Sequence, residues 1–226
     1  MRGVFVTGTD TGVGKTLAAC ALLHALAARG VRAFPMKPIA AGAVHRGGRW
    51  INDDTEQLLK AAGRDISLAD ACTPVLLREP MAPHIAAARE GRAIPLAPIQ
   101  DAFHALAAKE GFIVVEGVGG FRVPLDDDVD TVQLAWLLGL PVVLVVGLRL
   151  GCLNHALLTA QAIAAAGLPL AGWIANAIDP AMAVPEENIA ALRTRLAAPL
   201  LGQLPYSAAP DARALAAHLD IESLLA

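Results

Sequence analysis

Residues 8–16 read GTDTGVGKT, and this stretch decides the fold of the chain. It directly follows a short β-branched apolar run and opens a stretch of helical periodicity. A glycine-rich turn between a strand and a helix lets successive backbone N–H groups point at phosphate oxygens, and the helix N-terminus adds partial positive charge. Lys15 can reach the β and γ phosphates, and the Thr16 hydroxyl can ligate Mg²⁺. The stretch therefore predicts a nucleoside triphosphate site formed by Gly12, Val13, Gly14, Lys15 and Thr16.

The spacing of this loop departs from the common phosphate-loop pattern. Five residues rather than four separate Gly8 from Gly14. The alternative interpretation is a glycine-rich turn that binds nothing. A Gly-Lys-Thr sequence at the start of a helix is hard to explain by packing, which favours the phosphate site.

Short apolar runs alternate with longer alanine-rich stretches along the rest of the chain. The predicted strands are residues 4–7, 33–37, 112–116, 142–146, 170–175 and 200–204. The predicted helices are residues 15–29, 55–62, 99–109, 131–138, 154–166 and 186–196. Such alternation predicts an α/β fold of the P-loop NTPase type, with a mostly parallel central sheet and helices on both faces. We expect one domain over residues 1–226, ligands at the carboxyl ends of the strands, and a functional loop in the polar stretch 40–52.

Composition and charge narrow the functional classes. The net charge is −3, aromatic residues make up 4%, and no run of Lys or Arg occurs. These values favour neither a nucleic acid nor an anionic membrane as a partner. Three widely spaced cysteines without a CxxC pair indicate neither a disulfide framework nor a zinc site, and fit a reducing cytoplasm. Residues 131–148 and 152–178 carry no charge, but prolines and polar residues favour buried helix-plus-strand pairs over membrane spans.

Acidic and basic residues at three further positions complete a candidate site. Glu116 ends an apolar strand before a glycine-rich turn, where a carboxylate suits a Mg²⁺ ligand. Asp53 and Asp54 fit a metal ligand and a helix N-cap equally well. Lys37 ends the second strand, where it would point into the same cleft as Lys15; the alternative is a surface lysine.

Several segments together resemble the dethiobiotin synthetase family. The long phosphate loop is followed, in the family's order, by 37–42 (KPIAAG), 52–54 (NDD), 83–87 (PHIAA), 90–92 (EGR), 116–120 (EGVGG), 150–159 (LGCLNHALLT), 171–176 (AGWIAN) and 201–206 (LGQLPY). The Gly-Lys-Thr is shared with many ATPases, whereas the run from Gly151 to His155 is far more specific. The resemblance covers residues 5–206.

The resemblance implies a reaction and its cofactors. A 7,8-diaminononanoate amine takes up CO₂ to form a carbamate, ATP with Mg²⁺ phosphorylates the carbamate, and the second amine closes the ureido ring. The substrate supplies both amines, so no protein nucleophile is needed. By resemblance, Lys15 and Lys37 stabilise charge on the γ-phosphate and the carbamate. The remaining implied roles are Thr11 and Gly119 at the carbamate, Thr16, Asp54 and Glu116 on Mg²⁺, and Asn176 with Pro205 at the adenine.

The resemblance also implies a homodimer. Gly151, Cys152 and Asn154 would bind the substrate carboxylate of the partner subunit, with Cys152 acting through its backbone. The chain departs from the family at Gly12, where an acidic residue is common, and at Ala41, a substrate-binding position that usually carries a hydroxyl. Residues 80–83 also lack the usual hydroxyls. A lost hydroxyl would weaken substrate binding by about 0.5–1.5 kcal/mol.

Three rival functions share this fold or motif. A P-loop ATPase switch of the cell-division and partitioning type would carry a second lysine near the start of the loop, where this chain has Thr9 and Asp10. An amidoligase for a larger acid would need a glutaminase domain, for which the chain has no room. A catalytically dead module would not be expected to keep Lys15, Lys37 and Glu116.

Overall fold

The computed structural model describes residues 2–226 and has a parallel β-sheet at its centre. The strands are β1 (Arg2–Gly8), β2 (Ala33–Met36), β3 (Ile39–Ala41), β4 (Val44–Arg46), β5 (Arg49–Ile51), β6 (Val75–Leu77), β7 (Phe112–Glu116), β8 (Val142–Leu148), β9 (Leu170–Ala177) and β10 (Leu200–Leu204). Six of them form one sheet in the order β10-β9-β8-β1-β7-β2, and every neighbouring pair is parallel. The parallel sheet predicted from the sequence is confirmed.

Helices cover this sheet on both faces. They are α1 (Lys15–Ala28), α2 (Asp53–Ala61), α3 (Ala69–Cys72), α4 (Pro83–Arg89), α5 (Leu96–Ala107), α6 (Thr131–Leu138), α7 (Cys152–Ala165), α8 (Pro185–Arg193), α9 (Ala212–Leu215) and α10 (Glu222–Leu225). Val4 and Val6 of β1 pack with α1, whereas Phe5 between them packs with α5 and α6. Because successive side chains of a strand point to opposite faces, this division shows an apolar layer on each side.

The strand order brings the carboxyl ends of three strands, β1, β7 and β2, together at one edge of the sheet. β1 lies between β7 and β8, and the phosphate loop leaves its carboxyl end. Val6 pairs with Glu116 of β7, and Met36 of β2 pairs with Val115. Lys37 follows Met36 directly, so it leaves the sheet beside Glu116. The topology therefore brings residues far apart in sequence to the edge where α/β sheets bind ligands.

The stretch 40–52, predicted as a loop, contains regular structure. β3 pairs with β6, and β4 and β5 form an antiparallel hairpin. Gly47 and Gly48 both have positive φ, 56° and 81°, as a two-residue type I′ hairpin turn requires. The sequence prediction was wrong here because these strands have only three residues each, too few to show an alternating pattern.

The two long uncharged stretches fold as predicted. Residues 131–148 contain α6 and β8, and residues 152–178 contain α7 and β9. Within residues 2–226, none of the helices combines the length and the apolar character that crossing a membrane requires.

Candidate active site

The phosphate loop joins β1 to α1 through two glycines that tolerate no side chain. Gly14 precedes α1 with φ 85° and ψ 33°, a left-handed conformation that favours glycine. A Cβ on Gly14 would lie 2.1 Å from Nδ2 of Asn176, and one on Gly8 would lie 2.6 Å from the Val13 side chain. Close packing therefore disfavours a side chain at both positions, and the left-handed conformation favours glycine at Gly14 in addition.

Asn176 holds the loop from the neighbouring part of the sheet. It lies near the end of β9, is buried, and donates a 2.8 Å hydrogen bond from Nδ2 to the backbone carbonyl of Val13. A buried amide bonded to the loop fixes the path of the chain between Gly12 and Gly14. In this structure Asn176 thus has a contact that the resemblance did not imply.

Lys15 is buried at the start of α1 and donates to the backbone carbonyl of Asp10 at 2.9 Å. The pKa of Lys15 is lowered to about 8, mainly because of burial and also because of the charge of Lys37, while the charge of Glu116 opposes the shift. The ammonium group therefore has a pKa close to neutral pH, and its one hydrogen-bond partner within residues 2–226 belongs to its own loop. Phosphate oxygens would supply the charge complement that it lacks.

Glu116 and Lys37 form the buried centre of the site. Oε1 of Glu116 accepts hydrogen bonds from Nζ of Lys37 at 2.6 Å and from the Thr16 hydroxyl at 2.9 Å. Nζ of Lys37 also lies 2.9 Å from a carboxylate oxygen of Asp54. Although burial acts to lower it, the pKa of Lys37 is raised, because the charges of Glu116 and Asp54 outweigh desolvation. Lys37 is thus a buried cation bound between two carboxylates.

The two aspartates at the start of α2, which the sequence allowed as either metal ligands or helix N-caps, have different environments. Asn52 is the N-cap, and its side chain accepts from the backbone N–H of Asp54 at 3.0 Å while donating to the Ala41 carbonyl at 3.0 Å. Asp54 faces Lys37, whereas Asp53 forms a 2.6 Å ion pair with Arg46 at the surface. The capping function therefore belongs to Asn52, and Asp54 alone joins the site.

A cavity of about 680 Å³ connects these groups. It is lined by Thr11, Gly12, Gly14, Lys15, Thr16, Lys37, Ala41, Asp54, Pro80, Met81, Ala82, Pro83, Glu116, Val118, Gly119 and Val123. One side is the charged phosphate-loop wall, and the other is an apolar wall that includes Ala41 and residues 80–83. The cavity can accommodate a phosphorylated ligand beside an aliphatic one.

Other predicted residues lie outside this cavity. Val13 is buried in the loop, and Asn176 is bonded to it. Gly151 and Cys152 begin α7, with Gly151 at φ 96° and the Cys152 side chain buried, and Asn154 is exposed on the same helix. Pro205 directly follows β10 and is exposed. A second cavity of about 720 Å³, at the C-terminal part of α1, contains none of the predicted residues.

Comparison with known proteins identifies the family. A family model described as an AAA domain matches residues 2–213. The chain is 56% identical over 218 residues to the ATP-dependent dethiobiotin synthetase BioD of Aromatoleum aromaticum, covering 96% of each chain. It is 57% identical over 222 residues to the BioD of Ralstonia nicotianae, covering 98% of this chain and 96% of that one. The chain belongs to the ATP-dependent dethiobiotin synthetase family.

Solved structures of similar fold are much more distant from this family member. MinD in the MinC:MinD complex of Aquifex aeolicus has a TM-score of 0.55 at 15% identity, covering 92% of this chain and 82% of that chain. A ParA family ATPase from Chlorobium tepidum has a TM-score of 0.52 at 19% identity, covering 99% and 89%. At such identities the likeness shows a shared P-loop fold and nothing about activity.

The side chains of this dethiobiotin synthetase family member suit Mg²⁺. Oε2 of Glu116 is buried and has no hydrogen-bond partner among residues 2–226, which is unusual for a carboxylate oxygen and leaves a ligand position free. The Thr16 hydroxyl and the Asp54 carboxylate are the nearest further oxygen donors of the network. Mg²⁺ takes one or two carboxylates and completes its shell with phosphate and water. The donor set therefore fits the ion.

Sequence reasoning missed two groups that shape the site. The first is Asn52, and its position directly before an acidic helix start is the sequence signal for an N-cap. The second is Asp10. It forms a 2.5 Å ion pair with Arg149, which is 139 residues away and which no local pattern could have identified.

Proposed function

We propose that this chain is an ATP-dependent dethiobiotin synthetase that closes the ureido ring of dethiobiotin from 7,8-diaminononanoate and CO₂. The observation that carries the proposal is the identity of 56% to a curated dethiobiotin synthetase over 96% of the chain. The cavity supports it because phosphate-binding, carboxylate and lysine groups surround a space with an apolar wall. We assign the enzyme to the cytoplasm.

The proposed reaction has three bond-forming steps. One amine nitrogen attacks CO₂ and forms a carbamate. A carbamate oxygen takes the γ-phosphoryl group of ATP, and ADP leaves. The second amine attacks the carbamoyl carbon and expels phosphate, which closes the ring. Both nucleophiles belong to the substrate, so the task of the protein is to position groups and stabilise charge.

Each charged residue of the cavity has a role in these steps. Thr16, Asp54 and Glu116 would hold Mg²⁺, which supplies a positive charge beside the phosphates. Lys37, which pairs with Asp54 and Glu116 in this structure, would donate to the carbamate. Lys15 would leave the Asp10 carbonyl and donate to the γ-phosphate, whose charge favours the protonated ammonium.

Backbone and polar groups would hold the uncharged parts of the reactants. Thr11 and the backbone N–H of Gly119 would contact the carbamate; the two residues are neighbours, since a Cβ on Gly119 would lie 3.6 Å from the Thr11 hydroxyl oxygen. Ala41 contributes its methyl group to the apolar wall for the aliphatic chain. We assign the adenine to the region between Asn176 and Pro205.

We further propose that the enzyme is a homodimer. Gly151, Cys152 and Asn154 lie outside the cavity of their own chain, and the helix start they form is flanked by Leu150, whose side chain is 96% exposed. Trp136 and Leu158 are also more than half exposed. A second copy would cover these apolar side chains and place residues 151–154 beside its cavity, at the substrate carboxylate.

Phosphate release from Mg-ATP tests the proposed reaction. We expect release that requires both diaminononanoate and bicarbonate, with one phosphate per ureido ring detected by mass spectrometry. Release that is indifferent to both compounds would refute ring closure and favour an ATPase switch. The absence of release would direct attention to Gly12 and Ala41, where the chain departs from its family.

Mixing two inactive variants tests the dimer. Lys37→Ala disables the cavity of its own chain, and Asn154→Ala disables the carboxylate site offered to the partner. A mixed dimer contains one intact site, so co-expression is expected to restore up to half of the activity per heterodimer. A mixture as inactive as the separate variants would contradict a shared site.

A further inference from the structure

The phosphate loop is held by two separate anchors, one for each half. The half nearest α1 is fixed by Asn176, which donates to the Val13 carbonyl at 2.8 Å. The half nearest β1 is fixed by Arg149, which donates to Oδ2 of Asp10 at 2.5 Å. The two anchors come from different strands, since Asn176 lies in β9 and Arg149 directly follows β8.

The carboxylate and carbonyl of Asp10 organise three groups at once. Oδ1 accepts the backbone N–H of Thr11 at 2.7 Å, Oδ2 accepts from Arg149, and the backbone carbonyl accepts from Nζ of Lys15 at 2.9 Å. The hydrogen bond from the Thr11 backbone, together with the charge of Arg149, holds the pKa of Asp10 below its usual range. Asp10 therefore stays ionised and fixes the backbone that carries the Thr11 hydroxyl.

We propose that Asp10 and Arg149 are positioning residues for the proposed reaction. Their ion pair fixes Thr11 and the half of the loop nearest β1, independently of the half nearest α1. Neither residue lines the cavity beside Glu116 and Lys37. They act through Thr11, whereas the contact of Lys15 is to the Asp10 backbone carbonyl and does not require the Asp10 side chain. The pair thus affects the chemical step more than nucleotide binding, which depends on the half of the loop anchored by Asn176.

The pair also connects two parts of the protein that the proposed function uses. Arg149 accepts the backbone N–H of Cys152 on its own carbonyl, so it belongs to the turn that starts α7. That turn carries Gly151 and Asn154, which we assigned to the substrate carboxylate of the partner subunit. The ion pair is therefore the direct link between the nucleotide loop of one chain and the substrate site that the same chain offers.

Variants of the pair separate positioning from simple structural support. Arg149→Gln and Asp10→Asn each remove one charge but leave the acceptor for the Thr11 N–H, and we expect either to lower kcat about fivefold at low ionic strength. Asp10→Ala removes that acceptor as well and is expected to lower kcat by about fiftyfold. The dissociation constant of Mg-ATP is expected to change less than threefold in all three.

A double-mutant cycle provides the decisive comparison. If the two residues act as one unit, Asp10→Ala with Arg149→Gln is no slower than Asp10→Ala alone. Arg49→Gln is the matched control, because Arg49 pairs with Asp70 at 2.7 Å on the surface away from the cavity. The effect of Arg149→Gln is expected to shrink at about 1 M salt, where a half-exposed ion pair is screened.

Three results would overturn the proposal. The first is additive effects in the cycle; the second is nucleotide affinity that falls as far as kcat; the third is an Arg149→Gln variant with wild-type kcat. The amide hydrogen exchange of Thr11, expected to rise at least tenfold in Asp10→Ala, tests the loop contact without turnover. If phosphate release by the wild type does not depend on the diamine, the proposed function fails. The role of the ion pair is then tested by the amide hydrogen exchange of Thr11 and by the effect of the variants on the diamine-independent phosphate release.

Discussion

Replacing Lys37 by methionine tests the charge balance of the site most directly. The side chains of Lys37 and Glu116 are 5% and 1% exposed and are joined at 2.6 Å. Methionine keeps a similar volume but removes the charge, so Glu116 is left buried with only the Thr16 hydroxyl. Removing one partner of a buried ion pair costs about 3–5 kcal/mol, because an uncompensated charge remains.

The lower end of that range applies here for two reasons. Glu116 keeps its 2.9 Å bond from Thr16, and Asp54 is 36% exposed, so water compensates much of its lost contact. We expect a loss of about 3 kcal/mol in the free energy of unfolding without metal. For a chain of this length, that lowers the melting temperature by about 6–12 °C.

Denaturant unfolding in the presence of a chelator measures this loss. Lys37→Met combined with Glu116→Gln is expected to recover most of the stability, because the neutral amide does not need a counter-charge. Lys60→Met is the matched control, since Lys60 is exposed, and it is expected to change stability by less than about 0.5 kcal/mol. A Lys37→Met protein as stable as the wild type, or a double variant no more stable than the single one, would refute the argument.

The same variant separates the chemical step from nucleotide binding. Lys37 lies outside the phosphate loop and is assigned to the carbamate, so its loss is expected to lower kcat by about a hundredfold or more. Mg-ATP affinity is expected to remain within about threefold of the wild type, measured by calorimetry. Nucleotide binding that falls as far as turnover would show that Lys37 serves the phosphates instead.

Three shorter predictions concern the phosphate loop. Because burial lowers the pKa of Lys15 to about 8 and phosphate favours its protonated form, Mg-ATP affinity is expected to fall as the pH rises above about 8, by up to tenfold per pH unit. Lys15→Arg, which stays charged, is expected to remove this dependence. An equal pH dependence of affinity in both proteins would contradict the assignment of Lys15 to the phosphate. Asn176→Ala removes the hydrogen bond to the Val13 carbonyl and is expected to weaken Mg-ATP binding about tenfold with little change in kcat. Arg149→Gln is expected to do the reverse, lowering kcat with little change in Mg-ATP binding. An Asn176→Ala protein in which only kcat changes would disprove the two-anchor description. Gly14→Ala places a methyl group 2.1 Å from the Asn176 amide and is expected to abolish nucleotide binding, whereas Gly63→Ala, also at positive φ but facing open space, is expected to leave it unchanged, and calorimetry distinguishes the two outcomes.

The sequence predicted the sheet because its central strands are apolar over their whole length. Strand β8, Val142–Leu148, is buried at every residue, and β7 is buried from Phe112 to Glu116. Runs of this kind, separated by helices, specify a parallel sheet without help from distant contacts. The same reasoning located Lys37 and Glu116, since a polar residue that ends a buried strand must lie at the ligand-binding edge.

Contacts between distant residues could not be predicted in this way. Asn176 reaches Val13 across 163 positions, and Arg149 reaches Asp10 across 139. Each pair depends on the order of the strands, because β8 and β9 lie on the same side of β1. A motif identifies which loop binds phosphate, but only the topology decides which side chains hold that loop in place.

The ion pairs of the site also explain how a buried group of charges can exist before any ligand binds. Lys37 pairs with both Glu116 and Asp54, and within residues 2–226 the hydrogen-bond acceptor of Lys15 is the Asp10 carbonyl, so each charged group of the ligand-free site already contacts a protein group. Under the proposed function, ligand binding would exchange these partners rather than bury new unpaired charges, which would limit its desolvation cost. In the proposed function, Asp54 and Glu116 would hold Mg²⁺, which would supply positive charge at the site, and Lys37 would donate to the carbamate. Lys37 would then be free to donate to the substrate to the extent that another cation compensates its two carboxylates.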